Sequence, residues 1–313
     1  MYNKFLRNHF NKGKVFIKTN GRNIEDARFD FEFENGDKKT VLNELMEYQN
    51  EDGGFGKALE PDFRLPKSSP MATWAAGQIL KEIDADADHP MVKSMIEYLL
   101  KTYKLKTGMW DSVLPETNDY PHAPWWHWTE GVQENWMYNP GVELAAFIVH
   151  WSAHNSQASI TGWNSIEKAV NHLMIKNEMD RHEINNYLQF IKIIEPYKEL
   201  FELRNQYTLE SVTTKILDLA EECVDKDVSN WGTGYKALPL DFVEHPNHQL
   251  CERLGHLIDK NIDFYIQQIN EDGVWDISWR WGSYPKYFEI ARQQWMGILA
   301  VKRYKQFKAF GYL

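Results

Sequence analysis

QNEDGGFG at residues 49–56 and QINEDGVW at residues 268–275 are near-copies: a glutamine, an acidic turn, a glycine and then an aromatic ring. Gly53 and Gly273 lie 220 residues apart, too far for one hairpin or one metal loop, so the phrase marks a repeated structural unit. A weaker copy, TGMW, occupies residues 107–110, and the 55 residues from Gly53 to Gly108 divide the 220-residue spacing four times. Gly162-Trp163 also falls near that period, but it precedes a predicted helix where the other copies follow one, and it is set aside. The segment NWGTGYKALPLDF at 230–242 has the aromatic glycine loop but no room for a full helix before Pro246.

Two kinds of helix alternate around these phrases. A capping residue before proline marks three starts: Ser69-Pro70 before MATWAAGQILKEI, Asn139-Pro140 before GVELAAFIVHW, and Tyr284-Pro285 before KYFEIARQQWMGILAVKRY. The first two of these helices are small and apolar nearly all round, which predicts burial on most faces, and DRHEINNYLQFIKII at 180–194 joins them as inner helices. The segments at 41–49, 90–103, 164–176, 209–224 and 248–269 carry one apolar stripe and one charged face, the pattern of outer helices. RFDFEF at 28–33 alternates with period two and reads as a short strand. The expected fold is all-α, one domain over 1–313, built from about five to six imperfect hairpins of outer and inner helices.

Composition narrows the function. The 43% hydrophobic content suffices for a substantial core, and 13 Trp, 15 Tyr and 16 Phe supply flat apolar faces. A formal charge of −10 with no basic cluster argues against nucleic acid, whose binders concentrate Lys and Arg on phosphates. Cys223 and Cys251 lack paired spacing, so neither a disulfide framework nor a thiolate zinc site is expected. The polar N-terminus and the absence of a long apolar run lead to the expectation of a cytoplasmic protein without a transmembrane segment.

Gln, several residues, Gly, one residue and an aromatic ring resembles the QW motif of the terpenoid-cyclase and protein-prenyltransferase superfamily. FYIQQINEDGVW at 264–275 matches it well, and EYQNEDGGF matches with Phe in place of Trp. YQNEDGGFGKALEPDFRLPKSSPMAT, NDYPHAPWW and DGVWDISWRWG are similar to a bacterial prenyltransferase-like group of this length. The resemblance implies an α/α toroid, a structural role for the motif's glutamine and ring, and an apolar or isoprenoid-like ligand in a central aromatic-lined pocket. The superfamily's catalytic signatures are missing: neither DxDD nor DDxxD occurs, and DADADHP at 84–90 reads as a solvated turn. No metal and no cofactor are expected.

Four loops that precede inner helices hold the remaining candidates, and they are expected to meet at one rim. LEPDFRLP contributes Glu60, Asp62 and Arg64; PHAPWWHW contributes His122, Trp125, Trp126 and His127; NWGTGY contributes Trp231 and Tyr235; WDISWRW contributes Asp276, Trp279, Arg280 and Trp281. Glu60, Asp62, Asp276 and His127 are the candidate acids and bases, and the others the candidate ligand contacts. Aromatics with carboxylates suit isoprenoids, which meet ring faces, and sugars, whose rings stack while carboxylates transfer protons. A small-molecule binder or enzyme of the terpenoid-cyclase-like type, a carbohydrate-active α/α-barrel hydrolase or lyase, and a non-catalytic scaffold all remain open. So does a purely structural reading, in which Glu60, Asp62 and Arg64 cap and pair locally and the tryptophans cover a core edge.

Overall fold

The computed structural model describes residues 2–313, and among these the regular structure is helical, with only isolated bridges in place of strands. In chain order the helices are α1 (Tyr2–Asn20), α2 (Asn23–Phe33), α3 (Lys38–Met46), α4 (Pro70–Glu82), α5 (Pro90–Thr102), α6 (Gln133–Trp136), α7 (Gly141–Trp151) and α8 (Gln157–Met174). There follow α9 (Arg181–Ile194), α10 (Lys198–Arg204), α11 (Leu209–Cys223), α12 (Pro239–Phe242), α13 (Leu250–Leu254), α14 (His256–Gln267) and α15 (Pro285–Ala309). The chain divides into two compact units, Met46–Cys223 and a unit made of Met1–Leu45 with Val224–Leu313.

In the Met46–Cys223 unit α7 is the central element, packed against α4, α5, α8 and α9. From Gly141 to Val149 every residue of it is buried, as its apolar composition predicts. Close approach is built in by glycine on the flanking helices. A β-carbon on Gly77 of α4 would lie 2.2 Å from the Phe147 ring, and one on Gly162 of α8 would lie 2.9 Å from the Ala145 carbonyl. Gly162-Trp163 is therefore helical packing and not a turn. The Ser69 hydroxyl caps α4 by accepting from the Ala72 N–H at 3.1 Å. Asn139 does not cap α7, whose N-cap position is Pro140 and carries no side-chain cap bond.

In the other unit α1, α2 and α15 pack together around aromatic rings. Phe10 lies 5.2 Å from both Phe29 and Phe33 and 5.1 Å from Tyr304. This explains why RFDFEF is helix and not strand: Phe29 and Phe33 are four residues apart, one helical turn, so both can face Phe10. The outer segment at 248–269 is two helices, since Gly255 takes φ +52° between α13 and α14. The irregular segment before Pro246 forms only the four-residue α12. Buried Asn261 accepts from the Leu240 N–H at 2.8 Å, and Gln306 donates to the Leu240 and Val243 carbonyls at 2.6 and 2.9 Å. Those side chains satisfy backbone groups that so short a helix leaves open.

The glycine phrases are used alike. Gln49 donates to the Gly53 carbonyl, the Met91 carbonyl and the Ser94 hydroxyl at 2.9, 3.1 and 3.0 Å, tying its turn to the first turn of α5. The Gly108 carbonyl accepts from Ser165 of α8 at 2.6 Å, and the Trp110 indole donates to the Leu99 carbonyl at 2.8 Å. Trp275 donates to the Tyr265 carbonyl at 2.7 Å, and the Gly273 carbonyl accepts from Tyr304 at 2.6 Å. The three glycines have φ of +88°, +80° and +76°, so each phrase needs the left-handed turn that glycine supplies without strain.

Candidate functional site

Two of the four candidate loops lie in the Met46–Cys223 unit, and the structure pairs them. Backbone hydrogen bonds run from Arg64 N–H to the Pro121 carbonyl (2.9 Å) and from Ala123 N–H to the Asp62 carbonyl (2.8 Å), with Phe63 opposite His122. Segment 62–64 and segment 121–123 are thus one short antiparallel ladder. Glu60 and Asp62 are 7% and 3% exposed, and a Glu60 oxygen accepts from the Asp62 N–H at 2.7 Å. The approach to them is strained: Lys57 and Ala58 both have left-handed φ, +55° and +60°. Each costs on the order of 1–3 kcal/mol and persists only where surrounding bonds over-determine it. Lys57 supplies such bonds, its N–H to the Leu65 carbonyl and its ammonium to the Glu47 and Gln49 carbonyls.

The histidines of the second loop form a directed pair. The Tyr120 carbonyl, 2.6 Å from His122 Nδ1, can only accept, so Nδ1 carries the proton. In the neutral ring Nε2 then accepts from His127 Nδ1 at 3.0 Å. With both rings neutral, this tautomer puts the remaining lone pair on Nε2 of His127, which is exposed. Beside them Trp126 is buried, stacked on Trp136 at 4.5 Å and edge-on to Phe63 at 5.2 Å, while Trp125 is 38% exposed. The buried Trp126 indole N–H has no acceptor among the described residues, a departure from the rule that buried donors are satisfied. Arg64 is half-buried. Buried carboxylates, an outward-facing imidazole and an aromatic wall can orient a small molecule and exchange protons with it.

The other two loops lie in the second unit. Exposed Tyr235 meets Trp279 edge-on at 5.8 Å, and Trp279 meets Trp295 of α15 at 5.3 Å, so these loops are brought together too. Trp231 and Trp281 are buried, Trp231 donating to the Asp225 carbonyl at 2.7 Å and Trp281 packing on Phe288. Arg280 is exposed. Asp276 is gripped by Arg292, whose Nε donates to one carboxylate oxygen at 2.8 Å and whose Nη2 donates to the other at 2.5 Å. The Arg292 hydrogen bond holds the Asp276 carboxyl below its usual range, outweighing partial burial. Asp276 is therefore an anchored anion at neutral pH, a role suited to positioning and not to donating a proton.

Sequence reading passed over a second polar group on the inner helices. His150 of α7 has Lys81 of α4 at 3.0 Å from Nε2 and the Tyr197 hydroxyl at 3.2 Å from Nδ1. Burial, with Lys81 adding to it, pushes His150 down to about 4. The unfolded chain binds a proton there near pH 6.5. Stability attributable to this residue is thus full above pH 6.5 and is lost as pH falls toward 4. Urea midpoints measured across pH 4–7 should decline more steeply for the native chain than for His150→Gln, and parallel curves would refute the assignment. The only sequence signal for this group was polar residues at both ends of an otherwise apolar run, GVELAAFIVHW.

Among the described residues no cluster of three or more His, Cys, Asp or Glu is placed to hold a metal ion, and no helix is long and apolar enough to cross a membrane. No protein-family model matches the chain, and no curated protein matches it.

Proposed function

We propose that this chain is a small-molecule-binding protein of the terpenoid-cyclase and prenyltransferase type, an α/α toroid in which the QW-like phrases are structural braces. Its ligand, with an apolar, isoprenoid-like body, is held where LEPDFRLP meets PHAPWWHW. One observation carries this reading: a strained turn delivers two buried carboxylates, Glu60 and Asp62, to a ladder with the His122–His127 loop. Strain and buried charge both lower stability, and they concentrate where a site needs fixed geometry. The fully exposed alternative, a loop relaxed into solvent, would incur neither cost.

The test separates binding from stability. Glu60→Gln and Asp62→Asn keep shape and hydrogen-bonding capacity while removing charge. Each is expected to weaken binding of isoprenyl alcohols, whose hydroxyl can donate to a carboxylate, by about tenfold or more as followed by calorimetry. Melting temperature should move little. A fall in melting temperature with unaltered binding would assign the carboxylates to local structure. Saccharides serve as the comparison ligands, because saturable sugar binding lost in these two variants would move this loop site to the carbohydrate-active reading.

A further inference from the structure

Two polar side chains bound the apolar run of α7. Glu143 is 1% exposed, and its carboxylate accepts from neutral donors: the Trp74 indole at 2.6 Å and Gln78 at 3.2 Å, both on α4, and Asn186 of α9 at 3.0 Å. Seven residues on, about 10 Å further along the helix, His150 meets Lys81 in the last turn of α4. Among the described residues the Lys81 ammonium pairs with no carboxylate; its partner is His150 Nε2 at 3.0 Å. Lys14, Lys93 and Lys104, by contrast, each find a carboxylate, at 2.8, 2.8 and 2.9 Å.

The difference matters because a carboxylate holds an ammonium in its charged form, whereas burial against a neutral ring does not. Lys81 can only donate, which makes His150 Nε2 the acceptor and puts the ring proton on Nδ1, facing the Tyr197 oxygen at 3.2 Å. Burial draws the Lys81 ammonium below its ordinary range and outweighs Asp84, the charge that acts to raise it. Lys101 is the natural reference. It occupies the last turn of α5 as Lys81 occupies the last turn of α4, each a 13-residue helix begun by proline, so the dipole at the helix end favours both cations alike. Lys101 is exposed and Lys81 is half-buried, still within reach of solvent.

We propose that Lys81 is a nucleophilic amine that captures an aldehyde or ketone, with His150 as its positioning residue. The ammonium gives one proton to water, and the nitrogen lone pair forms a bond to the carbonyl carbon. The two remaining amine protons leave with the carbonyl oxygen as water, and a C=N double bond is left. No oxidant or reductant takes part. Lysines that do this chemistry are those taken out of water and away from carboxylates, the surroundings that α4 and α7 give Lys81. The proposal stands on these helices alone and does not depend on the reading of the loop site.

Reductive alkylation of the full chain tests it. Butanal is supplied with cyanoborohydride near neutral pH, so that each imine is reduced to a stable secondary amine, and peptide mass spectrometry follows every lysine. Lys81 should be alkylated about threefold faster than Lys101 or more, although it is the less exposed of the two. In urea the two rates should become equal, because the advantage belongs to the fold. His150→Glu places a carboxylate beside Lys81 and should bring its rate down to that of Lys101 or below, with Lys101 itself unchanged. Should that variant fail to fold, the native ratio and its loss in urea still decide. The proposal is overturned if native Lys81 reacts no faster than Lys101, which would make it a structural donor. A ratio that persists in urea, or a Lys81 rate unchanged in folded His150→Glu, overturns it equally.

Discussion

Trp275→Ala is expected to lower stability by about 3–5 kcal/mol, the range for a large aromatic truncated in a core. The side chain has no exposed surface. Its ring lies 5.0 Å from Tyr304 and 5.8 Å from Phe307, both on α15, and its indole N–H ends the last turn of α14 at the Tyr265 carbonyl. Alanine would open a cavity among those rings and remove that bond, leaving the Tyr265 carbonyl the longer bond from the Gln268 N–H at 3.2 Å. Trp279→Ala is the comparison, because its ring is half-exposed and packs edge-on against its neighbours. It should cost clearly less. Urea denaturation of both variants checks the pair; equal, small losses would mean that the QW-like phrase at 268–275 does not brace the fold.

Gly53→Ala is expected to be as damaging, by a different route. A β-carbon there would lie 2.1 Å from the Ser94 carbonyl oxygen, a backbone atom of α5 that cannot swing aside, and φ at this glycine is +88°. Left-handed strain of order 1–3 kcal/mol adds to overpacking of order 1–3 kcal/mol, for a total of about 2–6 kcal/mol. Gly234→Ala isolates the first contribution, since its φ is +71° and nothing lies within 4 Å of a β-carbon there. Melting temperatures should therefore rank native, Gly234→Ala and then Gly53→Ala, with two steps of similar size. A Gly53→Ala protein as stable as Gly234→Ala would show that α5 yields, and that the glycine serves conformation alone.

The helical class was legible because it rests on local pattern. Apolar spacing of three and four residues, proline at first turns and glycine after helices report on a few consecutive residues, and they located α4, α5, α7, α9 and α11 closely. The failures have local causes as well. RFDFEF alternates like a strand, but Phe29 and Phe33 also satisfy one helical face, and Phe10, distant in sequence, selected the helix. A stripe continuing through Gly255 hid the break between α13 and α14, because an apolar period does not record the sign of one φ.

Part of the site was legible in the same way. The sequence brought Glu60, Asp62, His122 and the tryptophans to notice by their density of polar and aromatic residues between helices. It could not tell which would be buried, that segment 62–64 would pair with 121–123, or that Arg292 would take Asp276. Glu143 shows the limit most clearly. Within GVELAAFIVHW it is one acid at the start of an apolar helix, which reads as an exposed first-turn charge favoured by the helix dipole. Its donors come from Trp74, 69 residues earlier, and Asn186, 43 residues later. By itself the sequence determined the helices and the turns that join them, since those depend on backbone bonds between near neighbours. Only the tertiary structure decided which polar atoms left water and which partners met them, because burial and pairing are set by segments far apart in the chain.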